Sequence, residues 1–174
     1  YMVNPIYKFT DEERRLAEKI AKMRNDAKPE SIKYKMCGFK NPEQAHIYGV
    51  CGEIAYAKVT NLKIDERIYT IGDKSDFDRG EIKAATWKGP DIELKIKVKE
   101  FLRKNPKAYI LARIDKEYTQ VEFVGSISRE KFENVKYKKH HKFVDNYCVE
   151  GTQMTKGLAF MHEGKVKFAS FNKI

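Results

Sequence analysis

The hydrophobic period of this chain changes near Ile64, and that change restricts it to folds that combine helices with a sheet. Before it, apolar residues recur at helical spacing. Thr10-Asp11-Glu12-Glu13 opens a first helix: the Thr10 hydroxyl can cap the Glu13 amide while the Glu13 carboxylate reaches back, and Leu16, Ile20 and Met23 follow at intervals of three and four. Pro29 sets the latest point at which this helix ends. A second helix begins at Asn41-Pro42-Glu43-Gln44, with Asn as cap and Pro at the first helical position, and is predicted to run to about Val59. Gly49, Gly52, Tyr56 and Val59 share one of its faces, with Glu53 on the same side. A helical glycine costs about 1 kcal/mol relative to alanine, so this stripe predicts the close approach of another element.

After the change the pattern is that of strands. Ile68, Tyr69 and Ile71 predict one, Asp73 to Gly80 is turn-rich, and Glu81 to Trp87 and Asp91 to Lys99 read as two more. In the last of these, Ile92, Leu94, Ile96 and Val98 alternate with Glu93, Lys95, Lys97 and Lys99, as in a half-buried strand with a charged outer face. Ala108 to Ile114 is the most continuously apolar segment and is predicted at the sheet centre, with Val121 to Ile127 following after a short turn. A short helix over 128–134, a basic loop over 136–142 and a hairpin from Leu158 to Phe171 turning at Glu163-Gly164 complete the chain. The order predicts an α/β or α+β domain with one central sheet, and 174 residues without a repeat or linker fit a single domain.

The longest apolar run, around Tyr109-Ile110-Leu111-Ala112, is far below the ~20 residues of a membrane span, so no membrane partner is expected. The N-terminal residues lack a secretory pattern, and Tyr1 ahead of Met2 reads as an expression remnant with Met2 the expected natural start. Cys37, Cys51 and Cys148 are odd in number and form no CxxC pair, which argues against a disulfide framework and for a reducing, cytoplasmic setting. Cys37, His46 and Cys51 also lack zinc-ligand spacing and read as structural thiols and an ordinary histidine. The net charge of +10 points to a polyanionic partner, nucleic acid before an acidic protein.

The segment from Gly72 to Lys83 carries the chemistry. On a strand Glu81 and Lys83 face the same side while Ile82 turns to the core, and Asp76 can come alongside across a turn at Arg79-Gly80. Two carboxylates and an ammonium in one volume suit phosphodiester hydrolysis. The carboxylates can hold Mg²⁺ or Mn²⁺, and the lysine can orient water or stabilise the transition state. An acid two residues before a lysine also occurs at Asp26/Lys28, Glu93/Lys95 and Glu163/Lys165; the Glu81 instance stands out for the acidic, glycine-containing turn upstream. Asp73 and Asp78 remain alternatives to Asp76 as first ligand. Lys136, Lys138, Lys139 and Lys142, with Tyr137 and Phe143 nearby, are the candidate nucleic-acid-binding set. His140 and His141 read as exposed loop residues, Trp87 as packing, and Ser126 as a hydroxyl without a base.

Taken together, Gly49-Val-Cys-Gly-Glu53-Ile-Ala, Asp76-Phe77, Glu81-Ile-Lys83, Tyr109-Ile-Leu-Ala and Val121-Glu-Phe-Val-Gly125-Ser-Ile127 resemble the PD-(D/E)XK nuclease superfamily, above all its short single-domain members from viruses and mobile elements. The resemblance covers about 41–130 and leaves the N-terminal helix and the C-terminal basic loop and hairpin as additions. Ser75 stands where the superfamily has its proline. It implies a restriction-endonuclease-like core, with a central mixed sheet flanked by helices, Asp76 and Glu81 as metal ligands, Lys83 as catalytic lysine and Glu53 as the extra acid from the preceding helix. The activity implied is a Mg²⁺- or Mn²⁺-dependent endonuclease on DNA before RNA, acting in the cytoplasm of a virus-infected host cell and open to homodimer formation. The rival expectation is a catalytically inactive nuclease-fold protein that binds nucleic acid or a host protein.

Overall fold

Helix α1, Asp11–Asp26, begins where the capping residues place it: the Glu13 amide donates to Thr10 Oγ1 at 3.2 Å and the Thr10 amide to Glu13 Oε1 at 2.9 Å. The computed structural model describes residues 3–27, 42–62, 80–86, 89–141 and 143–174, with the side chains of Pro42 and Glu43 excepted. Helix α2, Pro42–Thr60, packs on α1 through Ala17, Ile20 and Ala21 against Val50, Cys51 and Ile54. The molecule is mixed α/β, built on a central mixed sheet of four strands. They are β1 (Ile6–Lys8), β2 (Gly80–Ala85), β4 (Ala108–Ile114) and β5 (Gln120–Ser128), in the order β1-β5-β4-β2. Strands β2 and β4 run parallel and the remaining pairs antiparallel. As its unbroken apolar run predicts, β4 is an inner strand.

Alternation on β4 divides the interior into two cores. Ala108, Ile110, Ala112 and Ile114 join Ile82 against the two helices and against Leu158 and Ala159. Tyr109 and Leu111 face the other way, toward Leu94, Ile96, Phe101, Phe132 and Val149. A second sheet covers that other face, formed by β3 (Glu93–Lys97), β7 (Val144–Glu150) and β6 (Tyr137–His141). The hairpin β8 (Gly157–His162) and β9 (Lys165–Ser170) turns at Glu163 and Gly164, both at positive φ (50° and 72°), as a two-residue hairpin requires.

The central sheet stands as expected and two smaller sheets accompany it, while two details are corrected. The basic segment after Lys136 is an edge strand and not a loop, and β7 lies beside it. Every residue of β6 is exposed, so no apolar alternation announces it, and its lysines are of the kind that keep a free strand edge from pairing. The strand expected over Asp91 to Lys99 stops at Lys97, and Val98–Arg103 forms a short helix, α3, which turns Phe101 into the core three residues after Val98. The strand expected at 68–71 lies outside the described residues.

The glycine stripe on α2 serves only in part as a packing seam. A Cβ on Gly52 would stand 3.2 Å from Ile82 Cγ2 and 3.5 Å from Ala84 Cβ, so β2 does approach there, whereas a Cβ on Gly49 meets nothing within 4 Å among the described residues. Gly49→Ala is therefore expected to stabilise the fold by up to about 1 kcal/mol and Gly52→Leu to destabilise it by about 1–3 kcal/mol. Urea unfolding that moves both variants in the same direction would contradict this assignment.

Candidate active site

Ile82 and Ala84 lie under Gly52, so Glu81 and Lys83, which alternate with them, project from the opposite face of β2. Glu81 is 3% exposed and sits beside Tyr109 in the parallel register. From the second layer α3 contributes Glu100, and the residue that ends it contributes Lys104. Lys83 Nζ donates to Glu81 Oε1 at 3.1 Å and to Glu100 Oε1 at 2.6 Å. Lys104 Nζ donates to Glu81 Oε1 at 2.8 Å and lies 3.6 Å from Glu100 Oε1. Both ammoniums thus converge on one oxygen of Glu81. The other, Oε2, is buried with no donor in hydrogen-bond reach among the described residues, and the neighbouring Glu100 carboxyl itself shares a hydrogen bond with Glu81.

Burial alone would raise the Glu100 carboxyl, but the charge and hydrogen bond of Lys83, followed by the charge of Lys104 and a hydrogen bond with Glu81, carry it down to about 2. A carboxyl depressed on folding contributes stability that is fully present above its unfolded value and is lost as pH falls through its folded one. Unfolding free energy is therefore expected to drop between about pH 4.5 and pH 2 by more in the native chain than in Glu100→Gln. Parallel acid profiles of the two proteins would contradict the charge pairing.

What aims α3 at β2 is Arg129, the first residue of α4 (Arg129–Val135). Its guanidinium donates to Phe101 O at 3.0 Å, Lys104 O at 3.2 Å and the Tyr109 hydroxyl at 3.1 Å, pairs with Glu133 at 3.1 Å, and stacks 3.9 Å from the Phe101 ring centroid. A cation on the final carbonyls of a helix opposes the negative end of its dipole as well as satisfying those acceptors.

Of the residues expected at the site, Glu81 and Lys83 come together. Asp76 lies outside the described residues, as do its alternatives Asp73 and Asp78 and also Trp87. Glu53 is not part of this cluster: it belongs to α2, on the other face of β2, where Arg24 holds its two oxygens at 2.8 and 3.1 Å. That pair joins α1 to α2, which is why a carboxylate 6% exposed persists beside the glycine seam. Glu100, Lys104 and Arg129 were not anticipated. The i,i+4 acid and lysine on α3 were a local signal, but they become visible as a pair only once 98–103 is known to be helical.

Of the expected nucleic-acid-binding lysines, Lys138 and Lys139 are exposed on β6 and pair with different acids. Along β6 successive side chains alternate, so Lys138 turns with His140 to Asp145, at 3.4 and 2.7 Å, while Lys139 turns to Glu93 at 3.3 Å. Lys136 donates to Glu133 O and lies over the Phe101 and Tyr147 rings, and Lys142 lies outside the described residues. Glu93 also accepts from the Tyr137 hydroxyl, so the neighbouring acid-x-lysine pair, Glu93/Lys95, is committed to its own sheet.

Ser126 is structural: its hydroxyl donates to Gly157 O and accepts from the Ala159 amide. Burial pushes the Cys51 thiol up to about 12 and also raises Cys148, so both are inert neutral thiols, while Cys37 lies outside the described residues. A cavity of about 710 Å³ opens beside Gly80, between the end of α2, Ile110 and the β8–β9 hairpin. Its apolar lining and its place on the α2 face separate it from the Glu81 cluster.

Among the described residues no helix is long and apolar enough to cross a membrane, and no three His, Cys, Asp or Glu side chains form a group able to hold a metal. The donors present nevertheless suit a hard divalent cation. Mg²⁺ needs only one or two carboxylates when it keeps its waters, and Glu81 offers a buried oxygen that no donor among the described residues takes up. The chain matches no protein-family model, no curated protein and no solved structure.

Proposed function

We propose that this chain is a divalent-metal-dependent nuclease of the PD-(D/E)XK type that hydrolyses phosphodiester bonds in DNA before RNA. The observation that carries the proposal is the pairing of Glu81 and Lys83 on one buried face of β2, with no donor on Glu81 Oε2 among the described residues. Desolvation of a carboxylate without full compensation is disfavoured in a purely structural ion pair and is common where a group must receive a ligand. In this reading Glu81, with Asp76 from the preceding segment, holds Mg²⁺ or Mn²⁺. The bound ion supplies an activated water and neutralises charge on the scissile phosphate. Lys83, 27% exposed, is the only one of the two clustered lysines with appreciable access to solvent, and it supports the transition state by donating to the attacking water or to a phosphate oxygen. The net charge of +10 draws the polyanion to the surface, and the reduced thiols suit a cytoplasmic setting.

A second reading is favoured by one feature: Lys104 joins Lys83 on Glu81 Oε1, so Glu81 already has two cationic partners within the protein. That suits a nuclease-fold protein which binds nucleic acid without cleaving it. Incubation with supercoiled plasmid and linear DNA, with Mg²⁺ or Mn²⁺ and then with EDTA, separates the two. Cleavage that needs the metal and stops with chelator supports the nuclease; cleavage undiminished by EDTA, or binding without cleavage under any divalent metal, overturns it.

A further inference from the structure

Glu81, Lys83, Glu100 and Lys104 form a closed ring of alternating charge, with successive N–O separations of 3.1, 2.6, 3.6 and 2.8 Å. Two carboxylates are bridged by two ammoniums. A divalent cation carries the same charge as the two ammoniums and, unlike them, prefers several oxygen ligands in one shell. The ring also leaves acceptor capacity unused, because both ammoniums converge on Glu81 Oε1, and Oε2 is buried with no donor in reach among the described residues. Glu100 is not a loosely held surface acid. Its helix is fastened from behind by Arg129 on the Phe101 and Lys104 carbonyls, which holds the carboxylate toward Glu81.

We propose that Glu100 is a second metal-ligating carboxylate beside Glu81, and that Lys104 is the resident counter-ion with which an incoming divalent cation competes. The proposal rests on the nuclease reading and assigns α3 a direct part in it. Lys83, shared between both carboxylates and more open to solvent than Lys104, stays with the reacting groups. Lys104 extends from the residue just past the end of α3, where the backbone is already extended, so its side chain can leave the ring without unwinding the helix.

Calorimetric titration of the full chain with MnCl₂, without nucleic acid, tests the proposal, with electron paramagnetic resonance of free Mn²⁺ as a second readout. Relative to the native chain, Glu100→Gln is expected to weaken Mn²⁺ binding by about tenfold or more, and Lys104→Met to tighten it by about tenfold through removal of a like charge. Glu93→Gln, which removes a carboxylate from the neighbouring sheet, should bind as the native chain does. Circular dichroism and thermal melting establish that each variant is folded; if Glu100→Gln is not, the Lys104→Met titration decides. Native affinity in folded Glu100→Gln, together with loss of binding in Glu81→Gln, overturns the role of Glu100 and leaves the nuclease reading standing. Unchanged or weaker binding in Lys104→Met overturns the competition. A native chain that takes up no Mn²⁺ removes the nuclease reading, and this proposal with it.

Discussion

Lys83→Ala and Glu81→Gln are each expected to lower the DNA-cleavage rate by about a hundredfold or more while most of the DNA affinity remains. Both side chains act where charge develops on the phosphate, so their loss should appear in the rate and not in ground-state binding. Glu81→Gln should also lose metal binding, because an amide cannot replace a carboxylate anion. Lys83→Ala should retain metal binding, since it removes a positive neighbour of both carboxylates. The control is built into the fold. Glu93 and Lys95 have the same spacing on β3, but there the acid is taken up by Tyr137 and Lys139, so Glu93→Ala and Lys95→Ala should cleave at close to the native rate. Abolition by the β3 variants with full activity in the β2 variants would mean the wrong strand has been assigned.

Arg129→Ala is expected to lower stability by about 2–4 kcal/mol. Its guanidinium serves two backbone carbonyls at the end of α3, a buried tyrosine hydroxyl and a stacked ring, and truncation strands all of these acceptors together. Arg129→Lys keeps the charge but cannot reproduce the planar fork, so it should recover less than half of the loss. Because the same contacts place Glu100 and Lys104, Mn²⁺ affinity should fall in folded Arg129→Lys as well. A lysine variant with native urea midpoint and native Mn²⁺ affinity would reduce Arg129 to a surface ion pair with Glu133.

Features written in short-range chemistry were legible from the residues alone. Thr10 and Glu13 cap each other across three positions, Ala108–Ile114 is buried on both faces, and Glu163-Gly164 supplies the two left-handed residues of a tight hairpin. Glu81 and Lys83 belong with these, since strand periodicity by itself puts residues two apart on one side. Their surroundings were not of that kind. Strand β6 is exposed along its whole length and carries no pattern of its own; what makes it a strand is hydrogen bonding to β7, including Tyr137 opposite Cys148 and Lys139 opposite Asn146.

Glu53 shows the same division within one residue. Its helical position beside Gly52 follows from spacing, but whether its carboxylate faces Lys83 or Arg24 depends on which side of β2 the helix lies, and that is set by Ile82 and Ala84 packing under Gly52. Glu100 and Lys104 reach Glu81 from 19 and 23 positions away in the chain, through a helix too short to be announced by periodicity and held by an arginine further on still. Local propensity and alternation act over a few residues, so they specify elements and the faces those elements present. The partners that meet at those faces are selected by burial summed over the whole molecule, and it is that long-range packing which turned a two-residue motif on β2 into a ring of four charges.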